Sequence, residues 1–434
     1  MFRNKSVANA GWIIGCKIVQ SLLGIVISMF TARYFGPTQY GVINYAAAIV
    51  AFITPLTTLG LSHVIVQELV YSPESEGKIL GSSIAMSLVS SIGCIICVVS
   101  FSVLTNPNNP ETVLVCGLYS LLLLTKALEL IQFWFQAKLM SKYTAIVSVI
   151  AYIAISLYKA ILLLTKRSIY WFAVSNAIDH LAIGITLLAI YHRISGKKLQ
   201  VSYNWAKRLF SKSKYFVVSS MMMTIFAQTD KIMLRFMMGD EITGIYSAAS
   251  YCAGVTSFIF AAIIDSVRPT VIACKRKESP SYEINLCRLY ATVIFMALAQ
   301  SLMMTLFAKP IIAILYGIEY MQSAQVLRIA VWYTTFSYMG AVRNVWILAE
   351  GKQRYLWIIN LSGALTNVIL NIIFIRLWGA EGAALASVIT QMFTNFIIGL
   401  ILKPIRHNNV LIIRSLHPKY LMDTIQCIVN RRVL

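Results

Sequence analysis

Long apolar stretches separated by short polar connections run through almost the whole chain. Windows of about 20 apolar residues are long enough to cross a membrane as helices. They fall near 7–33, 41–69, 79–103, 111–136, 143–165 and 169–191, and again near 214–238, 242–272, 284–308, 323–349, 355–377 and 380–402. The pattern predicts an all-α integral membrane protein of about 12 transmembrane helices. The apolar run after Met1 is too long for a signal peptide and has no small-residue cleavage pattern, so the first span is expected to stay in the protein.

The longest hydrophilic connection, from His192 to Tyr215, divides these spans into two sets of six. The expected organisation is an N-terminal six-helix lobe over 1–191, a basic cytoplasmic linker over 192–213, a C-terminal six-helix lobe over 214–402 and a basic cytoplasmic amphipathic tail over 403–434. Both halves carry a related hairpin. Gly36 and Gly41 precede Tyr45-Ala46-Ala47-Ala48, and Gly239 and Gly244 precede Tyr246-Ser247-Ala248-Ala249. Glycine permits the positive φ of a tight outer turn, and the small residues after it let the next helix pack closely. Parallel repeats, related by a pseudo-two-fold axis along the membrane normal, are the expected architecture. A weaker copy, Gly379-Ala380-Glu381-Gly382-Ala383-Ala384, occupies the last outer hairpin.

Charge fixes the expected orientation. Hydrophobic residues make up 58% of the chain, although Lys and Arg outnumber Asp and Glu by 37 to 16. With the amino terminus inside, most basic residues fall in cytoplasmic segments: Arg3, Lys5, Lys78, Lys138, Lys142, the 193–214 stretch, Lys275, Arg276, Lys277, Arg288, Lys352, Arg354 and the tail. The outer connections and span ends hold only Arg33, Lys166, Arg167, Lys309 and Arg376. The positive-inside rule therefore predicts that both termini are cytoplasmic. A nucleic-acid partner is excluded on this pattern, because the basic residues alternate by loop and form no single stripe. The tail mixes Val410-Leu411-Ile412-Ile413 with Arg406, Arg414, Lys419, Arg431 and Arg432, as an amphipathic segment lying on anionic inner-membrane lipids would.

Little else in the sequence carries chemistry. Cys94 and Cys97 form a CxxC inside an apolar helix with no His or paired Cys nearby, so packing is expected of them. No Walker-type GxxxxGK[ST] occurs, which argues against ATP hydrolysis. No cofactor, metal site or catalytic residue is expected.

The outer hairpins, with Asp230-Lys231-Ile232-Met233-Leu234 before Gly239, resemble the polysaccharide-export branch of the multidrug/oligosaccharidyl-lipid/polysaccharide transporter superfamily. Leu315-Tyr316-Gly317 with Tyr320, Ala349-Glu350-Gly351-Lys352, Asn367, Asn371 and Trp378-Gly379-Ala380-Glu381-Gly382 extend the resemblance from Asn9 to about Leu402. It implies an O-antigen flippase of the Wzx type in the bacterial inner membrane, moving an undecaprenyl-diphosphate-linked oligosaccharide by alternating access. The same resemblance brings in the polymerase and chain-length regulator of that pathway as expected partners. A cation-coupled drug antiporter of the superfamily is the nearest alternative, and a membrane polymerase or glycosyltransferase a more distant one. The family has no fixed catalytic signature, so site residues rest on physics.

Eight basic residues lie within the spans: Lys17, Lys126, Lys159, Lys231, Arg235, Arg268, Arg328 and Arg343. Each costs roughly 2.5–3.5 kcal/mol at the centre of a lipid-exposed helix, so a hydrated, basic-lined cavity is expected. Lys17, Lys231, Arg235 and Arg343 are the substrate-binding candidates, cations that would replace water around a diphosphate. The alternatives are a local pair with Asp230 for Lys231 and snorkelling for Arg235. Arg268 is expected to pair with Asp265, and Lys126 with Glu129 three residues on. Asp179, His180 and Asp230 are the ion-coupling candidates, since a histidine beside a carboxylate changes charge near neutrality. The competing reading is that Asp179 neutralises Lys17. Asn360, Asn367 and Asn371 could serve sugar hydroxyls or interhelical hydrogen bonds.

Overall fold

A computed structural model describes residues 2–195 and 197–429 of the chain, without the side chains of residues 2–14, 17, 63, 219, 424, 425 and 427–429. The described residues are helical almost throughout and contain no strand. They form two compact units, Met1–Ile232 and Met233–Leu434.

The first unit holds α1 (Phe2–Thr58), α2 (Leu61–Tyr71), α3 (Glu76–Thr105), α4 (Pro110–Leu128), α5 (Gln132–Ala137), α6 (Ser141–Leu164), α7 (Ile169–Ser195) and most of α8 (Tyr203–Met238). The second holds α9 (Asp240–Ala253), α10 (Ser257–Arg276), α11 (Ser281–Leu306), α12 (Ala308–Leu315), α13 (Ser323–Ala349), α14 (Leu356–Met392), α15 (Ile398–Ile401), α16 (Arg406–Ser415) and α17 (Pro418–Val429).

Eight helical stretches among the described residues are long and apolar enough to cross a membrane. Two of these, Ile18–Thr58 and Gln353–Ile401, contain sharp corners at Gly36 and Gly379 and so supply two passes each. The corners are where the sequence places them. Gly36 has φ 68° and ψ 176°, and Gly239, which opens α9, has φ 90° and ψ −176°. A Cβ at these angles would crowd the following carbonyl, so the recurring glycine and the recurring bend are one constraint. The helices α8 and α13, which carry Lys231, Arg235, Arg328 and Arg343, are not among the eight, because their charges and polar residues dilute the apolar signal.

Packing in each unit is that of a membrane bundle. In α3 the small residues Ser83, Ser87 and Ser91 are buried one turn apart, and their hydroxyls find backbone carbonyls, Ser87 Oγ donating to Thr57 O (2.9 Å) and Ser91 Oγ to Leu123 O (2.9 Å). Small residues let these backbones approach, and none of these three hydroxyls is stranded in an apolar interior. On α6, Ile150, Ile153, Leu157, Ile161 and Leu164 form an exposed stripe at helical spacing, as a lipid-facing surface requires.

Two expected cytoplasmic segments are built into the units. Residues 192–195 continue α7 and residues 203–213 open α8, which docks on the first unit. There the fully buried carboxylate of Glu68 receives Arg208 Nη2 (2.9 Å) and Lys212 Nζ, and Leu209 joins the core with Leu61 and Ile65. In the second unit α16 does more than cover a lipid surface. Leu411 and Ile412 are buried in the core formed with α11 and α13, and Glu283 at the start of α11 holds His407 (2.9 Å) and Arg414 (3.0 Å). Val410 and Ile413 remain exposed.

Candidate functional site

Among the described residues, a group of intramembrane charges lies inside the first unit. It begins with an irregularity in span four. The α-helix stops at Leu128, a 3₁₀ turn covers Glu129–Ile131, and α5 resumes at Gln132. Opposite this turn α7 presents Gly184, where a Cβ would stand 2.7 Å from Leu128 Cβ. That close approach is available only to glycine. One turn earlier on the same face is His180, whose Nδ1 lies 2.6 Å from Glu129 Oε1.

The preceding residue, Asp179, is within electrostatic range of His180, of Glu129 and of Lys159 on α6. Lys159 Nζ donates to Asn176 Oδ1 (2.9 Å), which is three residues before Asp179 on α7. Lys126, on α4 one turn before Glu129, is within range of that carboxylate. Two lysines and two carboxylates thus balance while His180 is neutral, and protonation of His180 leaves one net positive charge. A low-dielectric interior makes that single charge consequential.

The sequence-predicted residues divide as follows. Asp179 and His180 are neighbours on α7, and the charges within range of Asp179 are those of His180, Lys159 and Glu129. The competing partner, Lys17, is on α1 with its side chain outside the described residues. The expected Lys126–Glu129 relationship is present as a charge interaction, with Glu129 making its short contact to His180. Asp230 and Lys231 sit side by side on α8, with Asp230 buried and within range of Lys231. The Arg235 guanidinium pairs with Asp240, across the Gly239 corner. Arg268 pairs with Asp265 at 2.7 Å, as its spacing predicts. Arg343 is buried in the second unit, where Nη1 donates to Thr394 O (2.6 Å) and Nη2 to Asn344 Oδ1 (3.1 Å). Asn367 and Asn371 are fully buried, and Asn371 Nδ2 donates to Asn367 Oδ1 (3.1 Å) within α14.

Sequence reasoning missed Glu129 as the partner of His180 and Lys159 as a charge within range of Asp179. Each residue was visible as an intramembrane charge. Their pairing depends on the 3₁₀ turn and the Gly184 approach, which no local pattern announces.

At one edge of each unit a carboxylate ties the start of one span to the end of another. Glu76, opening α3, meets Lys138 Nζ (3.3 Å) and accepts from Trp134 Nε1 (3.2 Å) and Ser195 Oγ. Glu350, after α13, accepts from Lys275 (2.7 Å) and from Tyr282 Oη (3.0 Å) on α11. Burial alone would raise the Glu350 pKa. The hydrogen bonds from Lys275 and Tyr282, with the charges of Lys275 and Lys352, hold it below the usual carboxylate range instead.

These features define a multi-pass, all-helical membrane protein with charge networks inside its bundles. The polysaccharide biosynthesis protein family model matches residues 6–273, and the chain belongs to that family. No curated protein matches the sequence. Its fold is similar to that of the lipid II flippase MurJ in an inward closed conformation, with a TM-score of 0.72 at 16% identity over 92% of this chain and 90% of that one. An inward-facing multidrug resistance MATE family transporter of the MOP superfamily gives 0.64 at 14% identity, over 90% of this chain and 95% of that one. An outward-facing conformation of a MATE family transporter of the same superfamily gives 0.64 at 14% identity, over 94% and 96%.

Proposed function

We propose that the chain is a flippase that moves an undecaprenyl-diphosphate-linked oligosaccharide, an O-antigen or similar surface-polysaccharide repeat unit, from the inner to the outer leaflet of a bacterial inner membrane by alternating access. Membership of the polysaccharide biosynthesis family carries this reading, and the likeness of fold to a lipid II flippase supports it. The chain is a transporter and not an enzyme on this reading, with both termini cytoplasmic and with the polymerase and chain-length regulator of the pathway as functional partners.

Lys17 and Lys231 are the cations assigned to the cargo diphosphate, because Arg235 is held by Asp240 and Arg343 by Thr394 and Asn344. The Asp179, His180, Glu129 and Lys159 group is the coupling site, with the Asp230–Lys231 neighbours a second titratable position. On this reading the group is a candidate proton relay.

The likeness to MATE transporters favours one second reading, a cation-coupled drug antiporter. Reconstitution separates the two. Proteoliposomes carrying a labelled polyprenyl-diphosphate oligosaccharide are expected to expose it on the opposite leaflet only when the protein is present. Export of a cationic dye with no movement of the lipid would establish the antiporter instead.

A further inference from the structure

The second unit carries a cavity of about 400 Å³ that the transport reading leaves unused. Its size falls in the range of roughly 300–1,000 Å³ typical of small-molecule sites. Ser279 in the turn before α11, Tyr282, Glu283 and Ile284 in the first turn of α11, Arg414 on α16 and Tyr420 on α17 line it.

The charges on these walls are paired but not used up. Glu283 Oε1 meets His407 Nε2 (2.9 Å), and Oε2 accepts from Arg414 Nη1 (3.0 Å). A carboxylate oxygen has a second lone pair and a guanidinium has several N–H donors, so the pair keeps acceptors at one end and donors at the other. Both side chains are about half exposed, and both reach the cavity. A ligand that matches them carries a cation that donates hydrogen bonds and, close by, an anion that accepts them.

Depth in the membrane selects the source of that ligand. The helix α11 has 26 residues, begins at Ser281 and is apolar enough to cross a bilayer. A hydrocarbon core takes about 20 residues, so the first turn of α11, which lines the cavity, stands at the level of lipid headgroups. Ile284 on the same wall is 43% exposed, an apolar surface for the glycerol end of a lipid. The start of a helix also favours phosphate, because its first N–H groups lack intrahelical partners.

The cation that fits is a primary ammonium. A choline nitrogen has no N–H to give a carboxylate, and it binds through open aromatic faces. The Tyr282 ring is not open: Lys275 Nζ stands over it at 5.0 Å, and its hydroxyl donates to Glu350 Oε1 (3.0 Å). A headgroup with phosphate alone would leave Glu283 without a cation of its own from the ligand.

We propose that this cavity binds the headgroup of an aminophospholipid, its ammonium on Glu283 and its phosphate on Arg414 and the Ser279 hydroxyl. Charges then alternate from ammonium to carboxylate to guanidinium to phosphate, a network where an isolated exposed pair contributes little. The lipid bridges α11 to α16 and α17, so the C-terminal helices are fastened through a bound headgroup. The site is independent of the cargo and of the coupling group in the first unit.

The test uses the full chain, delipidated in detergent and offered phosphatidylethanolamine, phosphatidylcholine or phosphatidylglycerol with identical acyl chains. Native mass spectrometry counts the lipid retained. One phosphatidylethanolamine is expected to bind about tenfold more tightly than either of the others, the discrimination that one charge-assisted hydrogen bond supplies. It should raise the unfolding midpoint by about 2–4 °C, as a ligand of the folded state must. Glu283→Gln should abolish the preference for phosphatidylethanolamine, and Arg414→Gln should weaken all three lipids, since each has a phosphate. Both side chains are half exposed, so both variants should fold; Ser279→Ala, in a turn, is read if one does not, and should weaken phosphatidylethanolamine several-fold. Equal retention of the three lipids by the wild-type protein overturns the site. So does a preference for phosphatidylethanolamine that survives undiminished in Glu283→Gln, and an equal midpoint rise with free O-phosphoethanolamine overturns the lipid as its occupant.

Discussion

His180 on α7 and Glu129 in the 3₁₀ turn of span four meet at 2.6 Å, although 51 residues separate them in the chain. The contact is the centre of a group in which Lys126, Lys159, Asp179 and Glu129 cancel in charge while His180 is neutral. A proton taken up there changes the net charge of a partly buried cluster, which can bias a helix arrangement as a solvated charge cannot.

Glu129→Gln should therefore reduce transport strongly while leaving folded protein in the membrane. It removes the negative partner of His180 but keeps side-chain size. His180→Gln should do the same, and the double variant should be no worse than either single one, since both act on one proton. The measurement is lipid flipping in proteoliposomes with and without an imposed proton gradient. Full gradient-driven flipping by Glu129→Gln would remove the pair from coupling.

Those parts of the fold that a residue type announces locally were legible in the sequence. Gly36 and Gly239 marked corners because positive φ selects glycine, and the corners appear at both. Asp179 and His180 were legible because titratable residues in an apolar span are rare. Their partners were not, since pairing depends on how α4, α6 and α7 pack. The Arg235–Asp240 pair was hidden for another reason: Asp240 lies beyond the end of α8 in the chain, and the tight turn at Gly239 brings it back to Arg235. The tail looked like a surface helix because Asn408 and Asn409, which anchor it to Tyr290 Oη and Phe396 O, are polar residues that give no apolar signal.

Glu68 supports a prediction about stability. Its buried carboxylate receives Arg208 and Lys212 from α8, and Gly60 lets the α8 backbone pass close by, with Val217 N at 2.9 Å from where a Cβ would be. Glu68→Ala should lower stability by about 1.5–3 kcal/mol, the range for charged hydrogen bonds. The loss should be smaller in high salt relative to wild type, because both cations are about half exposed and screened already. Thermal melts in detergent at two salt concentrations measure it. Exposed Glu74 makes the comparison, and Glu74→Ala should be silent.

Glu350 gives a pH dependence with a definite sign. Its folded pKa is depressed by Lys275, Tyr282 and Lys352, so its contribution to stability is fully present above the unfolded carboxylate value near 4.5 and is lost as pH falls through the lower folded value. Wild-type protein should lose more of its midpoint than Glu350→Gln between about pH 6 and pH 3, by about 2–4 °C. Equal acid sensitivity of the two proteins would show that the pair contributes nothing to stability.

The cargo assignment can be tested at Lys17 and Lys231. Lys17→Ala and Lys231→Ala should each reduce surface polysaccharide and in vitro flipping at unchanged protein abundance, because each removes a phosphate contact without a large packing volume. Arginine at either position should retain more activity than alanine, since charge is what the diphosphate reads. Lys138 is a poor control, because it pairs with buried Glu76 at 3.3 Å. Lys78 is exposed and serves better: Lys78→Ala should be nearly silent, as a solvated charge contributes little. Normal flipping by Lys231→Ala at equal reconstitution would leave Lys231 as the local counter-charge of Asp230. The same result for Lys17→Ala would take the diphosphate contact away from α1.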